Sequence, residues 1–287
     1  MRRIEVRRMP LHDVPISYSG DIVLPGEGYL VDTPVLRSHA GTQPDLFLRW
    51  NEIPRAAAAI DVAVHLHGFS QQGGAMPLSE KVRRGGLDLS RRGRPTLALL
   101  PRGNWIRHTY YDFPALLDGG IDRLVEYGVE RFAAALGKPS SLAIDRFILS
   151  AHSGGGMPAI DTIAKATRPP DEVYIFDGLY GRDPQLGDPL QGLEIIDGWL
   201  GERLAYEPAR PGALRVVYIE RQTGPFSRAV GELIAGRLKE SPPTLAAQLA
   251  RRYRVELSGV PHGYIAQICG PELLVDPGVE FDWQRLV

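Results

Sequence analysis

The residues Arg146-Phe147-Ile148-Leu149-Ser150-Ala151-His152-Ser153-Gly154-Gly155-Gly156 run from an apolar, strand-like stretch into a serine with very small residues two positions before and two after it. A serine held in a sharp strand-to-helix turn is a nucleophile elbow, G-x-S-x-G, because bulk at either flank would clash in the turn. Here the flanks are Ala151 and Gly155. Alanine adds a single methyl group at the first flank, so the turn is expected to survive.

A serine hydroxyl is a poor nucleophile until a base takes its proton and an acid orients that base. Where an elbow carries such a triad, the acid and then the histidine follow the serine along the chain. Of the seven histidines, only His262 follows Ser153. It lies in Ser258-Gly259-Val260-Pro261-His262-Gly263-Tyr264, read as a loop straight after the last strand-like run. Alone, a loop histidine is most simply surface decoration; with the elbow upstream it becomes the candidate base. Two carboxylates end strand-like runs in the right interval, Asp177 after Val173-Tyr174-Ile175-Phe176 and Glu220 after Val216-Val217-Tyr218-Ile219. The later strand is the commoner place for the acid. We nevertheless favour Asp177, which follows a fully apolar run and has Gly178 and Gly181 beside it to let the backbone turn. Glu220, followed by Arg221, remains the alternative.

Attack on a carbonyl also needs donors aimed at the developing oxyanion, and losing one typically costs roughly 3 kcal/mol. The run Val62-Ala63-Val64-His65-Leu66 leads into His67-Gly68-Phe69-Ser70, an H-G-x step that can present a backbone amide beside the serine. The two donors are assigned to the amides of Phe69 and Gly154. His65 and His67, two apart on a strand, face the same side and could ligate a metal. No third ligand with convincing spacing stands nearby, so no metal and no cofactor is expected; His67 is read as packing under the oxyanion loop and His152 as shaping the pocket. Gly154-Gly155-Gly156 lacks the companions of a phosphate cradle, neither G-x-x-x-x-G-K-[ST] nor G-x-G-x-x-G being present. Arg102, Trp105 and Tyr111 follow another strand-like run and are candidates for the substrate pocket, with a packed loop as the plain alternative.

These residues need elements to position them. From residue 61 onward, apolar runs of strand length at Asp61–Leu66, Thr96–Leu100, Arg146–Ser150, Glu172–Phe176, Leu214–Ile219 and Tyr253–Leu257 alternate with helical patterns at Ala115–Leu136, Met157–Thr167, Ser227–Leu238 and Thr244–Arg251. That alternation predicts an α/β fold with a doubly wound, mostly parallel sheet in three layers. Residues 1–55, broken by prolines and glycines, predict antiparallel edge strands. The stretch 181–212 is less regular and is read as a small cap or excursion. One domain spanning 1–287 is the expectation for this length.

With strand, H-G-x step, elbow, strand-ending acid and post-strand histidine in order, the chain from about residue 55 to 270 resembles the α/β-hydrolase superfamily. The resemblance implies an eight-stranded type of sheet, a Ser153-His262-Asp177 triad with Glu220 as the alternative acid, oxyanion amides at Phe69 and Gly154, and an acyl-enzyme intermediate. The chain departs from the pattern at Ala151 and in an acid placed after the earlier of two strands. The expected activity is that of a serine hydrolase cleaving an ester or amide in a small-molecule or peptide-like acyl substrate. The competing expectation is a non-catalytic binding or scaffold protein on the same fold.

Composition narrows the partners. Lysine and arginine number 33 against 34 aspartate and glutamate, a net charge of −1, which offers no field for nucleic acid or an anionic membrane. The single cysteine, Cys269, allows no intrachain disulfide, and the basic start Met1-Arg2-Arg3 is followed by no apolar signal-like core, so a cytoplasmic location is expected.

Overall fold

The computed structural model describes residues 16–68, 77–85, 87–106, 110–138, 142–180, 191–205 and 210–279. Eight strands form the main sheet: β1 (Gly26–Leu30), β2 (Leu46–Trp50), β3 (Ala59–Leu66), β4 (Thr96–Pro101), β5 (Ala143–His152), β6 (Glu172–Phe176), β7 (Ala213–Tyr218) and β8 (Tyr253–Leu257). Their spatial order is β1-β2-β4-β3-β5-β6-β7-β8. β2 runs antiparallel to both β1 and β4, and every other pairing is parallel. Parallel neighbours require crossovers, and helices supply them: α1 (Leu78–Gly85), α2 (Gly120–Ala135), α3 (Gly156–Lys165), α4 (Gln191–Ala205), α5 (Gly224–Lys239) and α6 (Pro243–Arg252); α7 (His262–Leu273) follows the last strand.

Successive residues of a strand face opposite sides, so a continuously apolar strand feeds two cores. Val62, Val64 and Leu66 of β3 join Leu149, Ile175 and Val216 in a core covered by α2, α3, α4 and α5. Ala63 of β3 joins Ile148, Phe176 and Val217 in a second core, closed by Leu78 and Val82 of α1 and by Ile265, Ala266, Cys269 and Leu273 of α7. The result is three layers, helices on both faces of the sheet. It is the fold class expected from the alternation of runs.

Three details differ from that expectation. The helix expected from residue 115 starts at Gly120, because Asp118 and Gly119 have φ of 50° and 74° and consecutive left-handed residues cannot continue a right-handed helix. Within the stretch read as a cap, Gln191–Ala205 is α4, whose Ile196, Trp199 and Leu200 are buried in the main core and whose Trp199 indole N–H donates to the Pro170 carbonyl at 2.8 Å. Residues 181–190 lie outside the described residues. The segment beginning at His262, read as loop, is the first turn of α7. At the amino end, a three-stranded antiparallel sheet links Tyr18–Ser19, Ile22–Val23 and Ile53–Pro54. Among the described residues no helix is long and apolar enough to cross a membrane.

Candidate active site

β5 ends at His152, and Ser153–Gly155 forms a single 3₁₀ turn before α3 begins at Gly156. Ser153 itself has φ of 53°, a left-handed conformation uncommon for any side chain but glycine. Two close approaches hold it there. A Cβ on Gly155 would stand 2.2 Å from the Leu66 carbonyl oxygen, and one on Gly68 would stand 2.5 Å from the Ser153 Cβ. Glycine is therefore required at the second flank of the elbow and at the H-G step, where the backbone passes directly against the serine. Ala151, the first flank, fits with its methyl fully buried in the core beneath.

The Ser153 hydroxyl donates to Nε2 of His262 at 2.8 Å, and Nδ1–H of His262 donates to Oδ2 of Asp177 at 2.6 Å. Asp177 stands one residue past β6, again with a positive φ, 47°. Its other carboxylate oxygen accepts the Ile219 amide at 3.0 Å and the Thr223 hydroxyl. Burial works against the charge on Asp177, but the hydrogen bonds from His262, Thr223 and Ile219 outweigh it and hold the carboxyl below its ordinary pKa. An ionised Asp177 fixes the proton of His262 on Nδ1 and leaves Nε2 with its lone pair toward Ser153. Glu220, by contrast, is exposed and pairs with Arg228.

His152, His67 and His65 do not join this relay. Nε2–H of His152 donates to the His262 carbonyl at 3.0 Å, and the two rings lie 5.0 Å apart. Burial, with His262 nearby, pushes His152 down to about 4, so it stays neutral beside its neighbour. His67 donates from Nδ1 to the Gly68 carbonyl at 3.0 Å and accepts the Gly103 amide at Nε2. The Gly68 carbonyl also receives the Lys81 ammonium at 2.6 Å. Nδ1 of His65 lies 2.6 Å from the Ser150 hydroxyl, in the layer below. Neither His65 nor His67 faces a third ligand: among the described residues no cluster of three or more His, Cys, Asp or Glu could hold a metal.

Of the remaining candidates, Gly154 follows Ser153 in the 3₁₀ turn, where the first amides of a helix have no acceptor within it. Phe69 lies outside the described residues. Arg102 has backbone partners. It is buried, and its guanidinium donates to the carbonyls of Thr42 and His39, both at 2.7 Å, so its charge braces the amino-terminal segment. Trp105 is half-buried and packs against the main core. The backbone of Tyr111 pairs with Trp105 in a hairpin, Asn104–Ile106 with Tyr110–Asp112, whose second strand packs against the Ser153 turn. Sequence reasoning missed Thr223 and Tyr180, whose hydroxyl lies 3.5 Å from Ser153 Oγ. Thr223 gave no signal, since it enters from a loop 46 residues from Asp177; Tyr180 stood in view, three residues past the candidate acid.

The strand order, the antiparallel β2 and the elbow after β5 make this an α/β-hydrolase fold. No family model matches the chain, and no curated protein matches it. Solved structures similar to it include an S-formylglutathione hydrolase from Agrobacterium tumefaciens, 14% identical over 93% of this chain and 97% of that one with a TM-score of 0.45. The siderophore hydrolase EstA from Aspergillus nidulans is 15% identical over 82% and 92%, with a TM-score of 0.45. An acylaminoacyl peptidase from Pyrococcus horikoshii is 13% identical over 91% of this chain and 44% of its own, with a TM-score of 0.43.

Proposed function

We propose that the protein is a serine hydrolase that cleaves an ester or amide bond through an acyl-Ser153 intermediate. The observation that carries this reading is the continuous relay from Ser153 Oγ to His262 at 2.8 Å and from His262 to Asp177 at 2.6 Å. In the first step Ser153 Oγ bonds to the carbonyl carbon, the Ser153 proton passes to Nε2 of His262, and the carbonyl electron pair moves onto oxygen. The Gly154 amide, with that of Phe69 as second donor, stabilises the oxyanion. His262 then gives its proton to the leaving group, and the acyl-serine forms. Water repeats the sequence with the acyl-enzyme, releasing the carboxylic acid. Asp177 keeps its charge throughout and orients His262; the surface pairing of Glu220 with Arg228 argues against it as the acid. No cofactor is needed for this chemistry, and the substrate class is a small-molecule or peptide-like acyl compound.

A fluorophosphonate probe tests the reading, because it reacts with an activated serine and with little else. The wild type is expected to be labelled and Ser153→Ala not. Failure of the folded wild type to label, together with no turnover of activated esters, would return the chain to the class of binding proteins.

A further inference from the structure

The turn that delivers Asp177 touches the serine twice. Asp177 reaches it through His262, while Tyr180, three residues on, places its hydroxyl directly 3.5 Å from Ser153 Oγ. The two turns are locked backbone to backbone. A Cβ on Gly156 would stand 1.9 Å from the Gly178 carbonyl oxygen, and a Cβ on Gly178 would stand 2.8 Å from the Ser153 carbonyl oxygen. Such contacts leave no room for the Asp177–Tyr180 segment to shift against the elbow. The Tyr180 amide closes the segment further by donating to the Gly178 carbonyl at 3.0 Å. The side chain is half-buried, so its hydroxyl is fixed at the site without being sealed from it.

The direction of the hydrogen bond follows from the relay. The Ser153 proton is directed to His262, so the Ser153 oxygen has only lone pairs to offer Tyr180, whose O–H must be the donor. When Oγ bonds to a carbonyl carbon, the new oxyanion stands little more than 2 Å from Oγ. For an oxyanion formed on the Tyr180 side of Oγ, a donor that waits 3.5 Å from Oγ is within hydrogen-bond reach of the charge, and catalytic contacts commonly tighten from the resting enzyme to the transition state.

Resting on the serine hydrolase reading above, we propose that Tyr180 is a further catalytic residue, a side-chain donor to the oxyanion of the tetrahedral intermediate. It keeps its own proton throughout; the only proton that moves in this step is that of Ser153, to His262. Two features of the sequence follow from the role. Gly178 permits the backbone contact that sets the distance, and a tyrosine supplies a donor with few rotatable bonds.

The test is Tyr180→Phe, which removes one oxygen and keeps the ring, with Tyr180→Met as a second variant that removes both. Steady-state hydrolysis of p-nitrophenyl acetate and of an unactivated alkyl acetate is measured, with thermal unfolding to establish that each variant is folded. An oxyanion donor acts on the transition state alone, so kcat is expected to fall by about 10²-fold with KM little changed, to the same degree for both esters and both variants. A trifluoromethyl ketone, which forms an oxyanion with Ser153, is expected to bind more weakly by a similar factor. A Phe variant with wild-type kcat, or a loss only in the Met variant, would show that the ring packs and the hydroxyl does nothing. A loss confined to the alkyl ester would place the donor at the leaving group and overturn the oxyanion role. These outcomes all presuppose a wild type that labels and turns over; one that does neither removes the underlying reading along with the proposal.

Discussion

The two ends of the parallel strands differ in backbone strain and in how many charges they bury. At the amino ends, Glu172 accepts from Arg92, from Arg146 at 3.1 Å and from the Tyr174 hydroxyl at 2.5 Å, while Arg92 also reaches Asp61 at 2.8 Å and the Thr96 hydroxyl at 3.0 Å. Arg92, Asp61 and Glu172 are all but fully buried. Arg215, fully buried in β7, ties the end of α7 to the sheet through the carbonyls of Leu273 and Val275. At the carboxyl ends, Ser153 and Asp177 are held in left-handed backbone, and each link of the relay is a single hydrogen bond. Saturation at one end fixes the fold. Strain at the other holds the Ser153 hydroxyl against His262. A sheet whose charges are locked at one edge can carry reactive, individually unfavourable conformations at the opposite edge.

Ser153→Gly should separate the two ends most sharply. It removes the proposed nucleophile, so turnover in an ester assay should fall by at least about 10⁴-fold, yet glycine adopts a positive φ without strain. The midpoint of thermal unfolding should hold or rise, by an amount equivalent to about 1 kcal/mol. A clear fall in stability would mean that the serine is not strained and that the contrast between the edges is wrong. Next in size is Asp177→Asn, which keeps the shape and loses the charge that orients His262. In a serine protease the equivalent exchange costs about 10⁴ in kcat, and a loss of that order is expected here. Glu220→Gln should change kcat by less than twofold.

Glu172→Gln carries the comparison to the other edge. It leaves Arg92 and Arg146 short of one charge in a dry region, and breaking a buried pair costs roughly 3–5 kcal/mol. The low end is expected because Asp61 still faces Arg92. Urea unfolding should show that loss while kcat per folded molecule stays within twofold of wild type. A variant that folds as well as wild type would reduce the network to neutral packing.

The fold was legible because strand-length runs alternate with helical patterns: β6 and β8 lie at Glu172–Phe176 and Tyr253–Leu257, the positions the sequence pattern predicts. α1 was missed because Leu78-Ser79-Glu80-Lys81-Val82-Arg83-Arg84-Gly85 has only two large apolar residues, too few for a periodic face. α7 was missed because Gly263, Gly270 and Pro271 read as breakers, although burial of Ile265, Ala266, Cys269 and Leu273 sustains the helix. Within the site, Ser153 and His262 could be read because one sits in a steric signature and the other is the sole downstream histidine. The juxtaposition of Asp177 with His262 depended on which strand end faces β8's exit, and that is a property of sheet order. The partners of Arg102, two backbone carbonyls about 60 residues upstream, leave no trace in sequence.

Acid should reach the two edges at different pH, with a smaller effect per group. Around the relay, burial holds His65 at about 3, His152 at about 4 and His67 well below its ordinary value. Each stays neutral in the folded chain while its unfolded counterpart takes up a proton near pH 6.5. The unfolded state then binds more protons, so the stability these rings lend is complete above about pH 6.5 and declines as pH falls toward the folded values, by a little over 1 kcal/mol per pH unit for each. The carboxyls of Glu172 and Asp171 are also lowered, since their arginine partners outweigh the burial that opposes charge. Their contribution persists to about pH 4, the unfolded carboxyl value, and disappears only below it. Unfolding free energy measured in urea should therefore already slope downward between pH 6.5 and 4.5. In that window the slope belongs to the buried histidines, His39 with them, because the amino-end carboxylates are still ionised in both states. His152→Asn removes one of these rings and should flatten the slope by about one proton. A stability that stays level down to pH 4.5 would mean that the rings accept protons within the fold, and that charge is tolerated equally at both edges.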